Sequence, residues 1–445
     1  MFSQGRNSRG RGVRRGLCSV VLAGMAAVGL AATGAVAQSD TAPGVTAKTV
    51  KLGYIYSGTG VAGSTGKNAG KAFQARIDRQ NAQGGVNGRK ITTEIIDDAS
   101  SAANLTAAQD LVQNRNVFMV VDNSAFAFLA YRYLLGAGVP MIGCGCDGNY
   151  YGAKGNENIF SITGNFGPFT GLAYDNVAKV MKQLGATKSG GLGYGASASS
   201  SASVKTFQGY AAPAQGLNPV YTNTSVDFGT SDVGPLVLGI KNAGADALYL
   251  PMVASTDLAI VQGLEQIGVA MKANMLATGY GQDLLDSPAA STLKANTVFF
   301  QTFKPVELKD KATKQFQADL KKYAGLTGVP DYGQYTGYIA GELAILGLQS
   351  AGKTPTRQGF ADGLRKVGSY DQAGLSCKPI DLSSSTFGKY PETSCGYFMQ
   401  VKNGRFVVMN KGKPISGKLV GSPEALRANA TGNPDLVTTT AAATP

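Results

Sequence analysis

The chain of 445 residues contains no histidine and no tryptophan, and acids are scarce: 28 Asp and Glu stand against 41 Lys and Arg, a formal net charge of +13. Without imidazole, Ser-His-Asp and Cys-His nucleophiles and every His-ligated metal or haem site are excluded. There are five cysteines, and the further soft ligands a metal would need beside Cys144 and Cys146 are not near them in the sequence. No basic run interleaved with aromatics suggests a nucleic-acid surface. Beyond residue 37 no stretch is long and apolar enough to cross a bilayer. Charged residues make up only 16% and hydrophobic ones 43%, the balance of a chain with a substantial core and not of a disordered one. The length suffices for two domains.

What is present begins with an address. Residues 1–16 carry Arg6, Arg9, Arg11, Arg14 and Arg15 and no acid, and an apolar stretch follows that ends Ala35-Val36-Ala37. Residues 1–37 therefore read as a cleaved signal peptide, preferred over a retained anchor because of the Ala and Gly content and the small-x-small end. Arg14-Arg15-Gly16-Leu17 resembles a twin-arginine signal, which leaves the export route open. Cys18 precedes the apolar run, the wrong place for a lipid-modified first residue, and is lost with the signal. Cleavage lowers the net charge from +13 to +8. The mature protein is expected outside the cytoplasm, in the periplasm or cell envelope, where disulfides are permitted. Cys377 and Cys395 are expected to close a loop rich in Ser and Pro. The C-x-C pair Cys144 and Cys146 is compatible with a strained bridge or with two thiols.

Along the mature chain, 50–56 is a β-branched apolar run, Ser57-Gly58-Thr59-Gly60 a turn, and Ala69, Ala72, Phe73 and Ile77 fall at helical spacing. The alternation returns with strands at 91–96, 117–121 and 139–142 and helices at 106–113 and 125–135. It restarts with a helix at 173–184 and strands at 191–194, 218–221, 247–250, 275–278 and 298–300. Such a rhythm predicts parallel sheets with crossover helices, in two successive lobes. Late helices are predicted at 316–323, 335–348 and 358–367, and a hairpin joins 397–401 to 406–409 through Lys402-Asn403-Gly404. The Ala/Thr/Pro-rich segment 422–445 reads as a disordered tail.

Gly58-x-Gly60-x-x-Gly63 follows a strand and precedes a helix, as a dinucleotide loop would. The acid that would hold the ribose is misplaced, however, since Asp97 and Asp98 come much later. Gly66-Lys67 is followed by Asn68, and Val61 stands where a phosphate loop needs its first Gly. No cofactor is therefore expected, and no pocket candidate pairs a nucleophile with a base, so the chain does not read as an enzyme.

The segment Asn81-Ala82-Gln83-Gly84-Gly85-Val86-Asn87-Gly88-Arg89-Lys90, ending in Asp97-Asp98, resembles a signature of substrate-binding proteins of the branched-chain amino acid class of ABC importers. Asn123-Ser124, Gly138-Val139-Pro140-Met141-Ile142, Val226-Asp227-Phe228, Gly244-Ala245-Asp246-Ala247 and Gly333-Gln334-Tyr335-Thr336-Gly337-Tyr338 follow in the family's order, from about Thr49 to Lys418. The resemblance implies the type I periplasmic-binding fold, an α/β architecture of two doubly wound parallel-sheet lobes joined by three crossovers. Lobe I would comprise 48–165 and 303–393, and lobe II 166–302 and 394–418.

Ligands in such sheets bind outside the carboxyl ends of strands. Ser57, Ser124 and Asp147 each follow a predicted strand, where a hydroxyl and a backbone N–H can meet a carboxylate, or where the residue merely caps a helix. By resemblance Ser124 matches the carboxylate-binding serine, within Asn123 to Ala125, and Gly145, Cys146 and Asp147 match the loop that contacts the α-carboxylate and ammonium. In the second lobe Ser199 and Val253 stand where the family places aromatics, and no Glu stands near Tyr280, which puts leucine-like ligands in doubt. Tyr150, Tyr151 and Tyr280 could supply a stacking wall or simply pack. The reading is a monomeric receptor for a small, carboxylate-bearing metabolite (an amino acid, amide or related acid) that delivers it to an ABC permease. The alternative is a sensory ligand-binding protein of the same fold.

Overall fold

The computed structural model describes residues 42–145, 150–164, 171–386 and 388–432. The predicted signal peptide, Cys146, Asp147 and the end of the predicted tail lie outside the described residues.

Five short apolar segments form the first sheet: β1 (Thr49–Tyr56), β2 (Lys90–Asp97), β3 (Met119–Asn123), β4 (Met141–Gly143) and β5 (Ile159–Ser161). They are all parallel, in the order β2-β1-β3-β4-β5. Helices cover both faces, so the central strands are apolar on both sides. Leu52 and Tyr54 of β1 join the core shared with helices Ala69–Ala82 and Tyr332–Ser350, whereas Ile55 joins the opposite core with Leu111 and Leu134. The first of these helix pairs lies very close. Gly333, Gly337 and Gly341 recur every four residues on the facing stripe, and a Cβ on Gly337 would stand 2.2 Å from the Ala69 carbonyl oxygen.

The second sheet holds β6 (Leu172–Tyr174), β7 (Lys188–Tyr194), β8 (Asn218–Val226), β9 (Ala247–Leu250), β10 (Ala273–Leu276), β11 (Thr297–Gln301), β12 (Thr393–Lys402), β13 (Arg405–Val408) and β14 (Ile415–Gly421). Its order is β6-β14-β12-β11-β10-β9-β7-β8, with β13 paired to β12. From β11 to β8 it is parallel, as expected, and β12, β13, β14 and β6 add antiparallel strands, two of them the predicted hairpin. The hairpin lies at its predicted place: Asn403 (φ 51°) and Gly404 (φ 70°) make the two-residue turn with both φ positive that the right-handed twist of paired strands favours.

Three differences have local causes. Residues 173 and 174 of the expected 173–184 helix belong to β6 instead, because they find an edge partner in β14, and the helix runs Asn176–Gln183. The expected 125–135 helix is a 3₁₀ turn, Ala127–Leu129, followed by Tyr131–Gly136. Residues 422–432 are ordered: Ser422 caps helix Pro423–Thr431, and Ala425 and Ala428 pack beside Leu172, so the tail does not begin at 422.

The chain passes between the sheets three times, after β5, after β11 and before β12. The second and third passages run side by side. Lys304 N–H donates to the Leu375 carbonyl (2.7 Å) and Cys377 N–H to that of Thr302 (2.9 Å), flanking an antiparallel bridge between Phe303 and Ser376. Cys377 is joined to Cys395 of β12 by a disulfide, Cα to Cα 6.0 Å.

Candidate ligand-binding cleft

The carboxyl ends of strands from both sheets open onto one cavity of about 910 Å³. From the first sheet come Ser57 after β1, Asn123 and Ala125 at the end of β3, and Gly145 after β4. From the second come Tyr194 and Ser199 after β7, Phe228 after β8, Met252 and Val253 after β9, and Thr278 after β10. Strand-end loops of a doubly wound sheet present backbone amides and short polar side chains without blocking the space in front of them.

Of the sequence candidates, Ser57, Asn123, Ala125, Gly145, Ser199 and Val253 line this cavity together, and Ser124, Tyr150 and Tyr280 do not. Ser124 is fully buried one layer below. Its Oγ bonds the Asp98 carboxylate and accepts from Phe126 N–H (2.8 Å), while Ser57 Oγ donates to the other Asp98 oxygen (3.1 Å) and accepts from Ala125 N–H (3.2 Å). Tyr150 stacks between Tyr131 (4.0 Å) and Tyr151 (4.4 Å) in the core on the far face of the first sheet. Gly143 makes room there, since a Cβ on it would meet the Tyr151 hydroxyl. Tyr280 is buried against Tyr335 and Phe406, and its hydroxyl donates to Glu307 Oε2 at 2.6 Å. An acid does stand near Tyr280, therefore, but 27 residues further on and engaged with that hydroxyl. Cys146 and Asp147 lie outside the described residues.

Asp98 is the electrostatic feature of the first-lobe wall. Burial raises its carboxyl above the ordinary range, opposed by neutral donors: the Ser124 hydroxyl, Ser100 N–H, the Asn104 amide and the Ser57 hydroxyl. The same Asn104 amide donates to both oxygens of the buried Asp122 (3.1 Å each). Asn123 spends its amide on Tyr54 (3.0 Å) and Thr336 (2.8 Å). Thr65, which sequence reasoning passed over, lines the cavity with a buried hydroxyl that has no partner.

The aromatic wall comes from the second lobe. Tyr194 and Phe228 lie 4.2 Å apart, and Phe228 reaches Phe126 of the first lobe at 5.5 Å. The Tyr194 hydroxyl donates to Thr256 (2.8 Å) and accepts from Val253 N–H (3.3 Å), with its pKa pushed up to about 12 chiefly by burial. Tyr194 closes a predicted strand, so the strand-end rule alone could have found it. Among the described residues no group of three or more His, Cys, Asp or Glu could hold a metal ion, and no helix is long and apolar enough to cross a membrane.

The profile of the periplasmic binding proteins matches residues 49–405. The chain belongs to that family. No curated protein matches it in sequence. Among solved structures of this family's fold, it is similar to a fatty acid ABC transporter substrate-binding protein from Thermomonospora curvata (19% identity, 87% of this chain and 96% of that one, TM-score 0.69). It is also similar to a solute-binding protein of an ABC transporter from R. palustris in complex with benzoate (16%, 82% and 97%, TM-score 0.67). A third is a branched chain amino acid ABC transporter from Thermus thermophilus with bound valine (17%, 86% and 99%, TM-score 0.68). Periplasmic binding proteins are a non-enzymatic, extracytoplasmic class, and this member has their type I fold.

Proposed function

We propose that this protein is an exported receptor that captures a small, carboxylate-bearing metabolite between its lobes and delivers it to an ABC permease. The observation that carries the reading is the convergence of strand carboxyl ends from both sheets on one cavity, with the Ser57 hydroxyl and the Ala125 region on one side and Tyr194, Ser199 and Val253 on the other. Among the described residues, the acids lining the cavity are Asp381 and Glu392 of the disulfide-closed loop, away from the Ser57 rim. There the Ser57 hydroxyl and Ala125 N–H are engaged with Asp98 and with each other, and the Thr65 hydroxyl, which has no partner among the described residues, is the donor that an anionic head group would meet. The solved relatives in complex with benzoate and with valine hold carboxylates, which supports the same class here. In this reading residues 1–37 are removed on export, lobe I comprises 48–165 and 303–393, lobe II comprises 166–302 and 394–418, and the receptor acts as a monomer.

A thermal-shift panel of aliphatic, aromatic and α-amino acids, each with its methyl ester or primary amide, tests the ligand class. A ligand at 100 times its dissociation constant adds about 2.7 kcal/mol of stability, a readable shift. The acids are expected to stabilise and the esters to fail; equal shifts from acid and ester would refute carboxylate capture. Liganded receptor is then added to membranes holding the cognate permease. Stimulated ATP hydrolysis supports delivery, and its absence with a saturating ligand turns the reading to sensing.

A further inference from the structure

The cavity continues well beyond its mouth. Ser199, Ser203, Thr206 and Phe207 recur at helical spacing on Ala198–Thr206 and the wide π turn Phe207–Ala211 that extends it, and all four line the cavity. Seven residues separate Ser199 from Thr206, a run of about 10 Å at about 1.5 Å per residue. An acid of the size of valine or benzoate fills only the end beside Ser57.

The inner part is largely apolar, because most of the polar groups on this helix face are spent within the protein, while Ser394 Oγ alone is a buried lining hydroxyl with no partner among the described residues there. Ser203 Oγ and the Tyr249 hydroxyl are hydrogen-bonded at 2.6 Å, and Thr206 Oγ1 donates to the Ala202 and Ser203 carbonyls. Phe207 stacks on Tyr249 at 4.4 Å, and Tyr249 on Phe300 at 6.0 Å, giving a continuous ring surface. Leu172, Val177 and Ile380 also line the cavity, Val177 in the same packed cluster as the rings and Ile380 in the loop that Cys377 and Cys395 close. Exposed Lys378 and Glu392 of that loop mark its outer edge. A channel with a polar mouth and a ring-lined, largely apolar interior recognises an amphipathic ligand.

We propose that the natural ligand is an acid with an elongated apolar tail, its carboxylate beside Ser57 and Ala125 and its tail laid along the Ser199-to-Phe207 face into the ring-lined chamber. This rests on the reading of carboxylate capture above and narrows it.

Calorimetric titration of the mature protein with butanoate, hexanoate, octanoate and dodecanoate tests it. Affinity is expected to rise roughly three- to fourfold per added methylene until the chamber is filled. In Ala202→Phe, which places a ring midway along the channel, the dependence on chain length is expected to vanish, so that octanoate binds no tighter than butanoate. The series on the unaltered protein stands even if that variant does not fold. Affinity that is flat or falls beyond butanoate overturns the proposal while leaving carboxylate capture intact. A rising series that Ala202→Phe leaves unchanged overturns the assigned path of the tail. If no carboxylate of any length binds, both readings fall.

Discussion

Ser57 Oγ lies 3.0 Å from Ser124 Oγ, and the two hydroxyls engage opposite oxygens of the one Asp98 carboxylate. Both therefore hold the buried acid, but only Ser57 also faces the cavity. Ser124→Ala is expected to cost about 1–3 kcal/mol of folding stability, because a buried carboxylate loses a donor and Phe126 N–H an acceptor. Ligand affinity should change little. Ser57→Ala is expected to weaken ligand binding by about 1 kcal/mol or more. Chemical denaturation and calorimetry on both variants check this distinction, which fails if Ser124→Ala loses more affinity than Ser57→Ala.

Lys67 of the first lobe and Asp283 of the second form an ion pair at 2.5 Å, with both side chains about half exposed. Such a pair contributes little to folding, on the order of 0–1 kcal/mol, but it spans the two lobes and so favours one relative position of them. Lys67→Ala is expected to leave the melting temperature nearly unchanged and to alter ligand affinity at low salt by less than about fivefold. The difference should disappear near about 1 M salt, where the screening length falls to about 3 Å. A salt-independent difference would show that Lys67 acts through something other than this pair.

Asp331 caps helix Tyr332–Ser350, with its carboxylate accepting from Gln334 N–H at 2.7 Å. Burial nonetheless raises its pKa to about 6, against the opposing pull of that N–H and the Asn68 amide. The folded protein therefore keeps a proton that the unfolded chain, with Asp near about 3.9, releases. Stability contributed through this group is highest below about pH 4, falls as the pH rises to about 6, and is flat above, a loss on the order of 2–3 kcal/mol. Asn is an equally good cap. Asp331→Asn should thus flatten this part of the profile and be more stable than the parent at neutral pH, as urea denaturation across the window will show. An unchanged slope would mean that the carboxyl titrates normally.

Gly337→Ala is expected to destabilise by about 1–3 kcal/mol, since its methyl would press on the backbone of Ala69 and no side chain can move aside. Gly136→Ala is the matched control: it is exposed near a helix end, has open space at its Cβ, and should be neutral or stabilising by up to about 1 kcal/mol. Equal melting temperatures for the two variants would contradict the close helix approach.

Much of this was legible before any coordinate. Short β-branched and apolar runs such as 50–56 and 117–121 read as strands, and the residues that follow such strands look out of the sheet. Ser57 was found in that way, and Asn123 and Gly145 through the family resemblance. A strand end says nothing of depth, so it could not place Tyr150, which packs between Tyr131 and Tyr151, or Ser124, whose hydroxyl is drawn to an acid 26 residues away. β14 has little alternation and gains its place from β12 and β6, and β6 carries helical spacing. The inner chamber joins Val177, Tyr249, Phe300 and Ile380, four segments far apart in the chain, so no local pattern announces it.

The ladder that laces Thr302–Lys304 to Leu375–Cys377 has a mechanical consequence. Two of the three connections cannot stretch or slip independently, and the Cys377–Cys395 bond welds them to β12. Ladder and second lobe thus turn as one body, and the compliance lies where the laced strands enter the first lobe, beside Pro305 and Gly374. For the proposed receptor, closure would then be a twist of one lobe on a fixed base, with the ring-lined chamber keeping its shape while its mouth opens and shuts.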